Sequence, residues 1–240
     1  MLNGKIVFVS GGTGYIGSEI CRNFHELGAK VIFSYNRNKE KADLLADELK
    51  GVCSIEINMR NVEDMQKKIE SIYKNFGNID VLVNNAAIAQ IMPLAMLEEE
   101  DVDLVFDINL KGTLFLTQSA VRGMIRQKKG AIVNLGSIAG HRMLDVPVTY
   151  AITKSAYSGM TLALASELKK FNIRVNNVIP GMMEGGVSNG IPEDLKETFN
   201  RHNATGRSGK AREVSELVCF LASDKASYIN GQNIFVDGGF

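Results

Sequence analysis

The chain has 240 residues, of which 45% are hydrophobic, so it is long enough to bury a substantial core. Lysine and arginine number 27, aspartate and glutamate also number 27, and the formal net charge is therefore zero. This balance gives no electrostatic reason to expect a nucleic acid or an anionic membrane as a partner, and we expect neither.

Three cysteines, Cys21, Cys53 and Cys219, are spread along the chain. None belongs to a C-x-x-C pair, which argues against disulfides and thiolate metal sites. The histidines also lack the spacing of metal ligands, so we expect no metal. The first apolar run, Ile6–Val9, is too short for the core of a signal peptide, and no run reaches the ~18 apolar residues of a membrane span. We therefore expect a cytoplasmic protein.

Short apolar runs, rich in valine and isoleucine, recur along the chain, and helical periodicity follows them. In chain order the runs are Ile6–Val9, Val31–Ser34, Val52–Ile57, Val81–Val83, Ala131–Leu135, Val175–Ile179 and Ile234–Val236. Runs that are apolar on both faces are typical of strands in a parallel sheet that helices cover on each side.

Between these runs, apolar residues recur at helical spacing in three stripes. The stripes are Ile16, Ile20, Phe24 and Leu27, then Val62, Met65, Ile69 and Ile72, and finally Leu162, Leu164, Ala165 and Leu168. The alternation predicts an α/β fold, a doubly wound (Rossmann-like) parallel sheet of about seven strands with helices on both faces. No repeat or linker interrupts the pattern, so we expect residues 1–240 to form a single Rossmann-type domain.

The first chemical motif follows the first predicted strand and reads Ser10-Gly11-Gly12-Thr13-Gly14-Tyr15-Ile16-Gly17. Glycines at such a place permit a tight turn, close approach of the backbone to a diphosphate, and close packing of helix on strand. The free N–H groups at the start of the next helix favour an anion. A purely structural turn is the alternative, but the position after an N-terminal strand favours dinucleotide binding.

The end of the second predicted strand favours NADP(H) over NAD(H). NAD-specific sites usually place an acidic residue there to hold the ribose hydroxyls. The segment Phe33-Ser34-Tyr35-Asn36-Arg37-Asn38 contains none. We expect Arg37, with Asn36 beside it, to face a 2′-phosphate. A solvent-facing arginine in a loop is the alternative.

The strongest catalytic signal is the pair Tyr150 and Lys154, which lie four residues apart and so share one face of a helix. A nearby ammonium lowers the pKa of a phenol from ~10, which makes tyrosine a usable general acid or base. Tyr35 and Lys39 have the same spacing, but only Tyr150 has a hydroxyl thirteen residues upstream, that of Ser137. Because Ser137 follows the fifth predicted strand, we expect it at the ligand-binding edge of the sheet, hydrogen-bonded to a substrate carbonyl.

With further motifs, these residues make the chain resemble the short-chain dehydrogenase/reductase family, and most of all its 3-oxoacyl-[acyl-carrier-protein] reductase branch. The resemblance runs nearly from end to end. It includes Asn84-Asn85-Ala86-Ala87, Asn109 within Ile108-Asn109-Leu110-Lys111-Gly112, Gly136-Ser137, Ala139-Gly140, Tyr150, Lys154, Arg174-Val175-Asn176, Pro180-Gly181 and Val236-Asp237-Gly238-Gly239.

The resemblance implies a role for each matching residue. Tyr150 would donate a proton to the carbonyl oxygen, Ser137 would orient and polarise that carbonyl, and Lys154 would lower the pKa of the phenol and hold the nicotinamide ribose. Asn109 would support a water that links Lys154 to a proton relay. The implied cofactor contacts are Gly11, Thr13, Gly14, Tyr15, Ile16 and Gly17 at the diphosphate and ribose, Asn58 and Met59 at the adenine, Asn85, Ala86 and Ala87 in the cleft wall, and Pro180, Gly181 and Met183 at the nicotinamide.

Four positions depart from the family's pattern. Tyr15 stands where many members have glycine, Asn58 replaces a frequent aspartate, and Ala87 replaces a common glycine. Gly185 replaces the threonine usually found after the Pro-Gly pair. We expect the nicotinamide amide to be held through backbone groups or Ser188 instead, with weak cofactor binding or a loop that orders only with substrate.

The substrate is less well defined by the sequence. We interpret the segment 182–206 as a mobile lid because it is polar and interrupted by glycines. Met143, Met182 and Met183 would form an adaptable apolar pocket for an acyl chain, or would belong to the core. His141 follows Ser137 closely and would line the pocket.

Two further features concern partners. Arg126, Lys128 and Lys129 form a basic cluster that would meet an acidic acyl carrier protein, or that is simply a solvated helix C-terminus. The resemblance implies a homotetramer in which the helices around Asp101–Lys128 and Thr149–Phe171 pair between subunits. Burial of their small residues, Ala156, Ser158, Ala163 and Ala165, inside one chain is the alternative.

Three hypotheses for function follow. The first is NADP(H)-dependent reduction of a ketone to a secondary alcohol, above all a 3-oxoacyl thioester on acyl carrier protein or coenzyme A, in fatty acid or polyketide metabolism. The second is a dehydrogenase of another alcohol, sugar or polyol with the same site. The third is a nucleotide-binding protein without turnover. The third hypothesis is disfavoured because the chain retains the whole predicted catalytic set, Ser137, Tyr150, Lys154 and Asn109. The unusual Gly185 nevertheless leaves the third hypothesis open.

Overall fold

The structure is a computed structural model that describes residues 2–240, and its centre is a seven-stranded sheet in which all paired strands are parallel. The strands are β1 (Ile6–Val9), β2 (Lys30–Tyr35), β3 (Cys53–Glu56), β4 (Val81–Asn84), β5 (Gly130–Leu135), β6 (Ile173–Pro180) and β7 (Asn233–Val236). Their order across the sheet is β3-β2-β1-β4-β5-β6-β7. The predicted runs match these strands to within two residues at each end, and the doubly wound fold is confirmed.

Eight α-helices connect the strands within the described part of the chain. They are α1 (Tyr15–Glu26), α2 (Lys39–Glu48), α3 (Val62–Phe76), α4 (Glu99–Phe106), α5 (Thr113–Gln127), α6 (Val148–Leu168), α7 (Glu193–His202) and α8 (Ala211–Ala222). A π-helical segment, Asp107–Gly112, joins α4 to α5. No helix in residues 2–240 has the length and hydrophobicity needed to cross a membrane.

Two separate cores cover the two faces of the sheet. Strand β1 contains no polar residue because its side chains enter both cores. Successive residues of a strand point to opposite faces. Val7 and Val9 pack in one core, with residues of α1, α2 and α8, whereas Ile6 and Phe8 pack in the other, with residues of α3, α5 and α6. Burying each such side chain contributes about 1.5–3 kcal/mol. The helices on both faces are therefore as predicted.

The predicted helical stripes are wrong at Leu27 and Leu162. Leu27 follows Glu26, the last residue of α1, and 44% of its surface is exposed because the chain leaves the helical period there. Leu162 lies within α6 but is 56% exposed, since the buried face of that helix runs through Thr161 and Ala165. The helical spacing of apolar residues alone could not show which face of α6 is buried against the sheet.

The segment 182–206 contains α7, a helix that the sequence interpretation as a polar lid did not include. Phe199, on the inner face of α7, packs against Ile138 and Ile179. It also stacks on Phe240, with ring centroids 4.4 Å apart. This small apolar cluster attaches the middle of the segment to the loop after β5 and to the end of β6.

The topology places a crevice at one edge of the sheet. Strands β1 and β4 are neighbours although β2 and β3 lie between them in the chain. The connections from β1 and β4 therefore leave in opposite directions, and a ligand-sized gap opens beyond their carboxyl ends. The loops that follow β1, β2, β4, β5 and β6 meet at this edge.

Candidate active site

A cavity of ≈ 580 Å³ lies at the carboxyl edge of the sheet and brings together residues that are far apart in the sequence. Three of the four predicted catalytic residues line it: Ser137, Tyr150 and Lys154. All but one of the predicted cofactor residues line it too: Gly11, Thr13, Gly14, Tyr15, Ile16, Gly17, Asn36, Arg37, Met59, Asn85, Ala86, Ala87, Pro180, Gly181 and Met183, besides Tyr150 and Lys154.

Asn58 is the cofactor residue that the structure places elsewhere. Its side chain is exposed, and its Oδ1 accepts a hydrogen bond from the backbone N–H of Arg60 at 3.0 Å. The cleft wall at this point is formed by Ile57 and Met59. Side chains alternate along extended backbone, so the residue between two cleft-lining residues faces away from the cleft.

The glycine-rich loop forms a compact cradle at the start of α1. Gly11 has φ +67°, a conformation that glycine adopts without cost. A Cβ on Gly17 would collide with the carbonyl oxygen of Gly11 and lie 2.7 Å from Nδ2 of Asn85. No side chain caps the N-terminus of α1. Its first N–H groups are therefore free to bind an anion.

Two serines that sequence analysis did not single out hold this cradle in place. The hydroxyl oxygen of Ser10 accepts hydrogen bonds from the N–H groups of Asn85 and Ala86, each at 3.0 Å. The hydroxyl oxygen of Ser34 accepts one from the N–H of Gly11 at 3.2 Å. The available signal was a hydroxyl residue at or next to the end of a strand, where backbone groups need partners.

The end of β2 presents Arg37 to the cleft. Arg37 forms no ion pair with any of residues 2–240, so its guanidinium is not neutralised by a neighbour. The competing pair does not reproduce the arrangement of Tyr150 and Lys154: Tyr35 lines the cleft, but Lys39 does not and instead binds Asp43 at 2.6 Å.

Ser137, Tyr150 and Lys154 converge on the cleft from two elements. Ser137 follows β5, where its hydroxyl oxygen accepts a hydrogen bond from the N–H of Ala139 at 3.1 Å. Tyr150 and Lys154 lie one turn apart in α6, and Nζ of Lys154 is 5.9 Å from the centroid of the Tyr150 ring. The ammonium donates to the carbonyl oxygen of Leu135 at 2.6 Å, which ties α6 to the end of β5.

Burial shifts the pKa values of Tyr150 and Lys154 in opposite directions. It raises the pKa of Tyr150, although the neighbouring hydroxyl of Ser137 acts in the opposite direction. Burial also lowers the pKa of Lys154, to about 7. The direction at Tyr150 is opposite to the one that the sequence led us to expect from Lys154. The cause is the loss of water around both side chains, which disfavours each charged form. A phenol with a raised pKa stays protonated near neutral pH and can act as a general acid.

Asn109 lies behind the cleft, on the π-helical segment, and is completely buried. Its side-chain oxygen accepts from the N–H of Ile88, and its amide donates to the carbonyl of Ile88, both at 2.9 Å. The amide also donates to the hydroxyl of Thr153 at 3.1 Å. These bonds use both amide N–H groups and one lone pair of the side-chain oxygen, and they join the loop after β4 to α6.

Tyr157 is a further residue of the site that sequence analysis missed. Its ring lies beneath Nζ of Lys154, at 4.7 Å from the centroid, which is cation–π distance. Its hydroxyl donates to the carbonyl oxygen of Asn109 at 2.8 Å and lies 3.1 Å from the hydroxyl of Thr113. The only signal in the sequence was its place three residues after Lys154, which puts both on one helical face.

The residues proposed to shape a substrate pocket do not assemble. Met143 is fully exposed, Met182 packs beside the Phe199 cluster, and only Met183 lines the cleft. His141 does not line the cleft, because its ring lies 3.2 Å from the hydroxyl of Ser158. No group of three or more histidine, cysteine, aspartate or glutamate side chains within residues 2–240 could hold a metal ion.

The basic cluster lies at the opposite end of the sheet from the cleft in the same chain, because it directly precedes β5 whereas Ser137 follows it. Arg126 stacks over the ring of Tyr73 at 5.4 Å, and Lys129 lies 3.6 Å from Asp224. Lys128 adopts the left-handed conformation that ends α5. Local contacts therefore account for the side chains of Arg126 and Lys129, and the backbone of Lys128 ends the helix.

Comparison with known proteins agrees with this geometry. A family model described as enoyl-(acyl carrier protein) reductase matches residues 13–240. The chain is 38% identical to the 3-oxoacyl-[acyl-carrier-protein] reductase FabG of Thermotoga maritima, covering 99% of this chain and 98% of the relative. It is 37% identical to the FabG of Staphylococcus aureus, covering 98% and 97%.

Solved structures of the same kind superimpose closely. A short-chain dehydrogenase/reductase from Serratia marcescens has a TM-score of 0.92 at 30% identity, covering 100% of this chain and 98% of that one. A Brucella melitensis protein, described as a short-chain dehydrogenase/reductase and glucose/ribitol dehydrogenase, has a TM-score of 0.92 at 30% identity, covering 99% and 97%. The chain therefore belongs to the short-chain dehydrogenase/reductase family and is an oxidoreductase that acts on ketone and alcohol groups.

Proposed function

We propose that the protein uses NADPH to reduce a 3-oxoacyl thioester, carried on acyl carrier protein or coenzyme A, to the 3-hydroxyacyl thioester. The observation that carries the proposal is the convergence of Ser137, Tyr150 and Lys154 on one cavity that also contains the glycine-rich cradle. The curated relatives from Thermotoga maritima and Staphylococcus aureus are both named 3-oxoacyl-[acyl-carrier-protein] reductases, which supports this substrate class. The proposed role belongs to fatty acid or polyketide metabolism.

The family uses a nicotinamide cofactor, and the cleft fits a dinucleotide. Gly11 and Gly17 have no side chains, so a phosphate can approach the backbone of the cradle closely. The start of α1 has no side-chain cap, so its free N–H groups can bind that phosphate. When bound there, the nicotinamide would supply the hydride to the carbonyl carbon. We propose NADP(H) rather than NAD(H), because the unpaired Arg37 lines the cleft and a guanidinium matches a phosphate oxygen pair.

The side chains of the site would position the carbonyl group and supply the proton. The hydroxyl of Ser137 would donate a hydrogen bond to the substrate carbonyl and fix its direction. Tyr150, protonated because its pKa is raised, would transfer its proton to the same oxygen as the carbonyl carbon is reduced. A partly buried cleft strengthens both hydrogen bonds by excluding water. Lys154 donates to the carbonyl oxygen of Leu135, and this bond would keep α6, with Tyr150 on it, fixed against the end of β5.

The second hypothesis, a dehydrogenase of a sugar or polyol, is favoured by the likeness to the Brucella melitensis protein, which is described as a glucose/ribitol dehydrogenase. Both hypotheses use the same catalytic residues and differ in what the segment 182–206 admits. We propose that this segment is the substrate lid, since it begins beside the cleft-lining Met183 and its base is closed by an isolated bridge between Met183 and Gly209.

The decisive assay follows the loss of reduced nicotinamide with a panel of substrates. Acetoacetyl-coenzyme A and acetoacetyl-acyl carrier protein represent the first hypothesis, and simple ketones, sugars and polyols represent the second. We expect turnover with the thioesters and NADPH. Turnover only with sugars or polyols would contradict the proposed substrate, and nucleotide binding without turnover on any compound would favour the third hypothesis, a protein without catalysis.

We also propose that the protein is a homotetramer. The outer face of α6 is uncovered in the single chain, and it carries the small or apolar residues Ile152, Ala156, Gly159 and Ala163. Leu114 of α5 is exposed as well. Ala165 does not belong to this face, because it is buried within the chain. Light scattering after size-exclusion chromatography tests the assembly, and Ala156→Arg should weaken it.

A cytoplasmic location completes the proposal. The three cysteines, Cys21, Cys53 and Cys219, are all free. Free thiols and the absence of disulfides in this part of the chain are typical of a reducing compartment. Fractionation of the native host should recover the protein with the cytoplasm.

A further inference from the structure

Two departures from the family pattern meet in the structure. Tyr15, the first residue of α1, lies against Gly185 in the loop after β6. A Cβ on Gly185 would be 2.9 Å from both Cδ2 and Cε2 of the Tyr15 ring, and one on Gly186 would be 3.1 Å from Cβ of Tyr15. The ring therefore occupies the space that a side chain at position 185 would need.

The backbone of Gly185 does not itself require glycine. Its φ of −153° and ψ of −171° are extended, and other residues adopt this region readily. Gly186 differs, since its φ of +76° favours glycine on its own account. What excludes a side chain at position 185 is thus the ring of Tyr15, so the large and the small residue are complementary.

This contact forms a wall between two cavities. Tyr15, Gly185 and Gly186 line the cofactor cleft, and the same residues line a second cavity next to α1 and α2. Arg22 and Glu48 close the far side of the second cavity and bind each other at 2.6 Å. If Tyr15 moved away from the loop, the two cavities would join and the cleft would open on this side.

The loop after β6 is anchored just before it reaches Tyr15. The N–H of Glu184 donates to the carbonyl of Gly209 at 2.9 Å, and the N–H of Gly209 donates to the carbonyl of Met182 at 2.8 Å. The Tyr15 hydroxyl has no hydrogen-bond partner among residues 2–240, so packing alone holds the ring on the loop. A contact made by packing can open and close without breaking hydrogen bonds.

We propose that Tyr15 and Gly185 form a clasp that holds the loop after β6 over the glycine-rich cradle and slows the release of the dinucleotide. Tyr15 is a positioning residue in this scheme. The inference rests on the proposed binding of NADP(H) in the cleft, and it adds a role for two of the four residues at which the chain departs from its family. It predicts that positions 15 and 185 are energetically coupled, since each fits only the other's size.

The test is a double-mutant cycle with Tyr15→Ala, Gly185→Val and the variant carrying both, and Tyr15→Phe as the matched control. The dissociation rate of NADPH is measured by stopped-flow fluorescence. Hydrogen exchange in the segment 184–192 is measured without nucleotide. We expect each single variant to release NADPH roughly tenfold faster, equivalent to about 1.4 kcal/mol, and to exchange faster in this segment. Tyr15→Phe should match the wild type, because the hydroxyl has no partner.

In the variant with both substitutions, valine fills the space that the ring vacates, so NADPH release should return toward the wild-type rate. Strictly additive effects of the two substitutions, or a Tyr15→Ala variant with unchanged release and exchange, would overturn the clasp. If the wild type binds neither NADPH nor NADH, the proposed function fails instead. The exchange measurement then still decides whether Tyr15 holds the loop.

Discussion

The buried ammonium of Lys154 should leave a measurable signature on stability. Burial lowers the pKa of Lys154 from 10.5 to about 7. Between these two values the unfolded chain carries a proton on this lysine that the folded chain lacks, so the free energy of unfolding rises with pH in that window. At about 1.4 kcal/mol per pKa unit, the wild type should gain about 2 kcal/mol between pH 7 and pH 9 relative to Lys154→Met.

Urea denaturation of both proteins at several pH values in this window measures the difference directly. Other titrating groups contribute to both proteins alike and cancel in the comparison. Lys169→Met, which removes an exposed lysine just after α6, is the matched control and should follow the wild type. A wild type and a Lys154→Met variant whose stabilities change in parallel across the window would refute the buried, weakly protonated lysine.

Further predictions concern other side chains of the site. Tyr150→Phe should lower kcat by several orders of magnitude while NADPH titration by fluorescence stays unchanged, because only the proton donor is lost; an active variant would show that another group is the acid. Arg37→Asp should shift the ratio of kcat/KM values for NADPH and NADH toward NADH, and an unchanged ratio would refute the 2′-phosphate contact. Tyr157→Phe keeps the ring beneath Lys154 but leaves the buried carbonyl of Asn109 without this donor, so urea denaturation should show a loss of about 1–3 kcal/mol. Unchanged stability would mean that this hydrogen bond contributes nothing.

The sequence was sufficient for features that local chemistry determines. Strands buried on both faces show themselves as apolar runs, and β1 is an example in which no polar residue is tolerated. The cleft was predictable because parallel strands place their following loops at one edge. Gly17 and Ser137, which are 120 positions apart in the sequence, therefore line the same cavity.

Features that depend on tertiary packing were out of reach. Leu162 has the spacing of a core residue, but the turn of α6 about its axis exposes it. Tyr157 has the appearance of an ordinary core aromatic, and only its contacts with Lys154 and Asn109 reveal its place in the site. The raised pKa of Tyr150 follows from burial, which a sequence does not report.

The departures at Tyr15 and Gly185 illustrate the same limit. Each is unusual alone, and Gly185 was expected to bring weak cofactor binding or a loop that orders only with substrate. In the structure, the ring of Tyr15 at the start of α1 fills the space that a side chain at position 185 in the loop after β6 would need. Such pairs are visible only when both loops are placed in space.

The proposed reaction requires a substrate oxygen to lie between Ser137 and Tyr150. The most direct measurement is a crystal structure with NADP⁺ and 3-hydroxybutyryl-coenzyme A. We expect the 3-hydroxyl oxygen at about 2.6–3.2 Å from both side-chain oxygens. A product bound with that oxygen away from both hydroxyls would contradict it.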